Sequence, residues 1–175
     1  MVKDLKVVLL GYMASGKSTV GRLLSEKINL PFKDLDAEIE RSTKMTVSQI
    51  FKEKGELFFR KKEAEVLQQL LSGDEGFVIA LGGGTPCYGI NLETINTNTE
   101  HTFYLKLNVS SLVQRLLHEK NQRPIVANIS DTDLPEFVGK HLFERNQFYM
   151  LAKRIINCDK KSEEQITNEI FKNLV

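Results

Sequence analysis

Residues 5–18 read Leu-Lys-Val-Val-Leu-Leu-Gly-Tyr-Met-Ala-Ser-Gly-Lys-Ser, an apolar run that breaks into a glycine-bounded loop. Four residues separate Gly11 from Gly16, and Lys17 and Ser18 follow, which is the spacing of a phosphate-binding loop. Glycine opens backbone angles closed to other residues, so successive N–H groups can turn inward around phosphate oxygens at the start of a helix. Lys17 adds a fixed positive charge, and Ser18 offers a hydroxyl to magnesium. The stretch Thr19–Ile28 supplies the helix, with Val20, Leu23, Leu24 and Ile28 at helical spacing. A glycine-rich turn without a ligand is the alternative, but the pattern is rare between a buried strand and an amphipathic helix. The chain is therefore predicted to handle a nucleoside triphosphate.

Outward from this loop, short apolar runs at Leu5–Leu10, Phe77–Leu81 and Thr102–Leu107 read as strands buried on both faces. Further strands are predicted at Pro31–Leu35 and Arg154–Cys158, and a last helix over Glu163–Leu174 with Ser162 as its cap. The alternation of strand and helix predicts a three-layer α/β sandwich. With 175 residues, 41% of them hydrophobic, and neither repeat nor linker, residues 1–175 are expected to form one domain. Apolar periodicity fails over Glu119–Asp133, which is expected to be a mobile flap or an inert surface loop. A formal charge of +1 excludes the broad positive field of a nucleic-acid binder. No stretch approaches membrane-spanning length, and neither export nor anchoring is expected. Cys87 and Cys158 show no disulfide framework or metal spacing, so reduced thiols and a cytoplasmic location are expected.

Four local features call for a ligand. In Phe32-Lys-Asp-Leu-Asp36, strand alternation would aim Asp34 and Asp36 to one side, the first toward magnesium through water and the second toward a hydroxyl of the phosphate acceptor. Alternatively Asp36 caps the helix that follows. In the segment opened by Gly55, Arg60 lies at the edge of a core stripe of Phe59, Val66, Leu67 and Leu70, one turn from Glu56 and Glu63. Its rigid fork suits an acidic substrate, although a solvated ion pair also explains it. Gly82, Gly83 and Gly84 stand at the carboxyl end of a strand, where open α/β sheets hold ligands and glycine lets the main chain come close. Arg145 occupies a core-facing slot in the helix Leu134–Ala152, and a guanidinium there must face an anion, either Asp36 or a ligand. In the flap, Arg123-Pro124 puts a cation where closure would carry it over a transferring phosphate, or it is an ordinary loop arginine.

Together, Gly11–Thr19 with Val20-Gly21-Arg22, the pair Asp34 and Asp36, Gly55-Glu56 to Arg60, Gly82-Gly83-Gly84, Arg123-Pro124 and Arg145 closely resemble the shikimate kinase family, in order and spacing along most of the chain. The resemblance implies a P-loop kinase fold with a five-stranded parallel sheet in the order 2-3-1-4-5, a lid at roughly 119–133 and a shikimate-binding helical region at roughly 36–62. It also implies phosphorylation of the 3-hydroxyl of shikimate by ATP with Mg2+, in aromatic amino-acid biosynthesis, by a monomer whose partners are shikimate and ATP. By the same resemblance the nucleotide is held by Gly11, Ala14, Ser15, Gly16, Lys17, Ser18, Thr19, Arg115 and Arg123, with Arg115 on the adenine side. Ser18 ligates the metal and Asp34 supports it through water. Asp36 holds the shikimate hydroxyls and accepts the proton, and Lys17 and Arg123 neutralise phosphate charge. Arg60 and Arg145 clamp the substrate carboxylate beside Gly82, Gly83 and Gly84, and Glu63 orients this pocket. Gluconate kinase, of similar build, is the nearest enzymatic rival, and a nucleotide-binding module without turnover is the other. The chain departs from the family at Ala14, where glycine is usual, at Asp159-Lys160-Lys161, which lacks the adenine-lining arginine and proline, and over Asn121–Asp133 beyond Arg123-Pro124.

Overall fold

A computed structural model describes residues 4–120 and 123–174. Five parallel strands, β1 (Lys6–Leu10), β2 (Phe32–Asp34), β3 (Phe77–Ala80), β4 (Thr102–Lys106) and β5 (Arg154–Asn157), form one sheet in the order β2-β3-β1-β4-β5. Helices surround it, giving the expected three-layer architecture. Val7, Val8, Leu9 and Leu10 of the central strand are wholly buried. A parallel strand covered on both faces needs a continuous apolar run, and this one supplies it. The edge strands β2 and β5 are only partly buried, which is why their runs are weaker. Each predicted strand shortens by a residue or two where its apolar run leaves the ladder.

The helices are α1 (Lys17–Ile28), α2 (Leu35–Thr43), α3 (Val47–Glu53), α4 (Gly55–Ser72), α5 (Asn91–Asn98), α6 (Val109–Glu119), α7 (Pro124–Ala127), α8 (Leu134–Tyr149) and α9 (Glu163–Lys172). Thr46 and Ser162 each open a helix with a reciprocal capping box, through Gln49 and Gln165. Gly16 has left-handed angles and forms the N-cap of α1, so Lys17 and Ser18 belong to the first helical turn and not to the loop. Gly21, on α1, lies against the Phe32 ring of β2, and a Cβ there would come within 2.5 Å of Phe32 Cε2. The segment expected to lack regular structure contains α7, with Val126 wholly buried. A four-residue helix is too short to leave a periodic signature. Asn121 and Gln122 of the expected lid lie outside the described residues. No helix among the described residues is long and apolar enough to cross a membrane.

Candidate functional site

The loop after β1 forms the floor of a cavity of about 450 Å³ at the carboxyl edge of the sheet. Gly11, at φ 148°, passes so close to Leu105 that a Cβ would lie 2.9 Å from its carbonyl oxygen. Ala14 holds a left-handed φ of 61° with a side chain in place, a conformation that costs an L-residue about 1–2 kcal/mol. Lys17 is buried. Its Nζ donates to the Gly11 carbonyl at 2.9 Å, the Tyr12 carbonyl at 2.8 Å and Ser15 Oγ at 3.3 Å. Burial and the charge of Arg123 push its pKa down to about 7. Ala14, Gly16, Lys17, Ser18 and Thr19 line the cavity; Gly11 and Ser15 act from behind it as acceptors for Lys17.

Asp34 and Asp36 both line the cavity, but not by strand alternation. β2 stops at Asp34, and Asp36 already lies in the first turn of α2. The capping residue is Asp34 and not Asp36: Asp34 Oδ1 accepts from the amides of Asp36 at 3.1 Å and Ala37 at 3.4 Å. Its other oxygen accepts from Ser18 Oγ at 3.2 Å. The cap thus occupies one carboxylate oxygen and leaves the second facing the loop. Asp36, freed from capping, carries a raised pKa of about 6, caused by burial and then by Asp34, Glu63 and Glu40.

Three successive glycines each meet a different predicted site residue. A Cβ on Gly82 would stand 3.5 Å from Asp36 Oδ1 and 3.6 Å from Glu63 Oε2. One on Gly83 would stand 3.4 Å from an Arg145 nitrogen, and one on Gly84 would stand 2.9 Å from Arg60 Nη2. The main chain is bare here because side chains distant in sequence press against it. Arg60 and Arg145, 85 positions apart (145 − 60), therefore converge on one turn, and both charges act on the thiol of Cys87 just beyond it.

Their settings differ. Arg60 Nη1 donates to Glu63 Oε1 at 2.9 Å, and Nε lies 3.5 Å from Glu56 Oε1. Glu63 is 1% exposed and also accepts from Thr85 Oγ1 at 2.7 Å. Burial works to lower the pKa of Arg60, but Glu63, Tyr88 and Glu56 together outweigh it and the net shift is upward. Among the described residues no carboxylate pairs with Arg145, so Asp36 is not its ion-pair partner. Beside it, Tyr149 donates from Oη to the Gly83 carbonyl at 2.5 Å. Arg60, Gly84 and Arg145 do not line the cavity itself, which reaches Gly82 and Gly83.

On the opposite wall, Arg115 donates to the Ala14 carbonyl at 3.2 Å, placing it against the phosphate loop. Arg123 pairs with Glu119 one turn earlier, Nε to Oε2 at 2.8 Å, and both residues line the cavity. After β5, Asp159 accepts from Ser111 Oγ at 2.7 Å and so ties this segment to α6. Sequence reasoning passed over Thr85, Tyr88, Glu119, Tyr149 and Glu163. Tyr149 falls in the apolar phase of its helix, and its hydroxyl is the signal that could have marked it.

A family model described as shikimate kinase matches residues 13–175. The shikimate kinase of Flavobacterium psychrophilum is 49% identical over 169 residues, covering 97% of this chain and 98% of that protein. The crystal structure of shikimate kinase from Bacteroides thetaiotaomicron superposes with a TM-score of 0.88 at 34% identity, covering 97% of this chain and 98% of the other. The solved structure of shikimate kinase from Acinetobacter baumannii in complex with shikimate gives a TM-score of 0.85 at 31% identity, covering 98% of this chain and 94% of the other.

Proposed function

The chain belongs to the shikimate kinase family, and from that membership we propose that it transfers the γ-phosphoryl group of ATP to the 3-hydroxyl of shikimate. The observation that carries this reading is the glycine turn, where Asp36, Arg145 and Arg60 abut Gly82, Gly83 and Gly84 in succession. An acceptor with one carboxylate and several ring hydroxyls asks for two guanidinium forks, a carboxylate and main-chain donors together.

Phosphoryl transfer runs through a loose transition state, so placement and charge neutralisation do most of the catalytic work. In this reading the loop amides and Lys17 hold the β- and γ-phosphates. Arg123 neutralises charge on the transferring group, and Asp36 orients the attacking hydroxyl and accepts its proton. Arg60 and Arg145 fix the carboxylate, and Arg115 braces the loop at Ala14. Magnesium fits the Ser18 and Asp34 pair: Asp34 keeps an oxygen directed at the Ser18 hydroxyl, and an ion that retains waters and phosphate ligands needs few protein donors. When bound there it would supply positive charge that neutralises the phosphates during transfer. All these groups come from one polypeptide, in keeping with a monomer. Two free thiols fit a cytoplasmic setting.

The test is ADP release measured with shikimate and gluconate in parallel. Turnover with shikimate is expected; turnover with gluconate alone, or ATP binding with no acceptor-dependent reaction, would overturn the proposal.

The depressed pKa of Lys17 gives a second expectation. At pH 8 much of the free protein carries a neutral amine, and phosphates beside it favour the ammonium. ATP binding should then take up a proton, read by calorimetry as a binding heat that varies with the ionisation enthalpy of the buffer. A heat independent of buffer would contradict it.

A further inference from the structure

We propose that Tyr88 is a positioning residue for Arg60, holding its guanidinium flat so that one N–H edge stays directed at the substrate carboxylate. This inference rests on the function proposed above. Tyr88 follows the short turn Thr85–Cys87, and its ring centroid lies 3.8 Å from Arg60 Cζ, a close stack of cation on aromatic face. Its hydroxyl donates to Glu56 Oε1 at 3.0 Å, the same oxygen that Arg60 Nε approaches. The ring also reaches the glycine turn: Tyr88 Cε2 lies 3.3 Å from where a Cβ on Gly84 would be.

The guanidinium is therefore constrained on several sides. The Tyr88 ring covers a face, Glu63 takes Nη1, and Glu56 lies beside Nε. Nη2 has no hydrogen-bond partner among the described residues and lies against Gly84, leaving it as the edge available to an incoming carboxylate. The Glu56 bond is long, at 3.5 Å, and Glu56 is exposed, so it cannot set the plane of the fork alone. The ring can, because stacking on a planar cation fixes its tilt. Tyr88 also joins the turn that carries Gly84 to the helix that carries Arg60, so one side chain sets the distance between both walls of the clamp.

The test compares Tyr88→Phe, Tyr88→Leu and Tyr88→Ala by steady-state kinetics in both substrates. Tyr88 is 37% exposed, so these changes leave the core intact. The leucine and alanine variants should raise the KM for shikimate about fivefold to tenfold, the range of a partly desolvated cation–aromatic contact, with kcat and the KM for ATP within about twofold. Phenylalanine keeps the stack and should restore a KM within about twofold of wild type. In an Arg60→Lys background, which keeps a charge beside Glu63 but has no planar face, Tyr88→Leu should add less than about twofold. An unchanged shikimate KM in the leucine and alanine variants would overturn the inference. So would a matching rise in the KM for ATP, or a full additive effect beside Arg60→Lys. If the wild-type protein does not phosphorylate shikimate, the functional proposal fails instead, a result visible before any variant is made.

Discussion

Asp36→Asn is expected to lower kcat by about a hundredfold to a thousandfold while making the folded protein more stable. The loss follows from removing the group that receives the hydroxyl proton. Asparagine keeps the shape and a hydrogen-bond acceptor but cannot take up that proton. The gain follows from the direction of the pKa shift. Asp36 sits near 6 in the fold, above the ordinary carboxylate value, because burial, Asp34, Glu63 and Glu40 all oppose its charge. The folded state thus favours the protonated form. That contribution to stability is complete below the unfolded pKa of about 4 and is lost as pH rises through about 6. At pH 7 the charged side chain works against folding by about 2–3 kcal/mol, and the neutral amide removes this opposition. Thermal unfolding at pH 7 should show Asp36→Asn melting higher than wild type by several degrees. In wild type, kcat/KM for shikimate should fall as pH drops through about 6, and this limb should vanish in the variant. Wild-type turnover in Asp36→Asn would remove Asp36 from the proposed mechanism.

Arg145→Ala is expected to raise the KM for shikimate about tenfold to a hundredfold, with a smaller change in kcat and an unaltered KM for ATP. The magnitude is that of losing charged hydrogen bonds to a carboxylate. Arg60 offers a contrast. Removing Arg60 would leave Glu63, at 1% exposure, without its cation, and an orphaned buried carboxylate destabilises by about 3–5 kcal/mol. Arg145 pairs with no buried carboxylate among the described residues, so its alanine variant should melt close to wild type. Steady-state kinetics in both substrates, with a melting curve for each arginine variant, separates the two. An unchanged shikimate KM in Arg145→Ala would detach that residue from the clamp.

Much of this could be read from the chain because its strongest signals are local. The apolar runs of β1, β3 and β4, the spacing of Gly11 and Gly16, and the capping signature at Ser162 each lie within a few residues. Arg145 was legible too, since a charged residue in a core-facing slot is a local anomaly. What stayed hidden depends on contacts across the fold. Glu63 meets Thr85 across 22 positions, and Tyr149 meets Gly83 across 66. No periodicity reports such a pair. The cap at α2 went to Asp34 instead of Asp36 because β2 is only three residues long, and its end could not be located to within two positions from composition alone. The short helix α7, which buries Val126, escaped for the same reason of scale.

The closeness of Gly21 to Phe32 reaches further than packing. Phe32 begins the strand that ends at Asp34, so pushing the ring outward would shift that carboxylate relative to Ser18 on the helix that did the pushing. Position 21 therefore works as a gauge: a single added methyl, touching neither ion nor nucleotide, would press through Phe32 on the strand that holds Asp34 3.2 Å from Ser18. Sensitivity to metal concentration can thus be altered here through a residue that no inspection of the cavity would nominate.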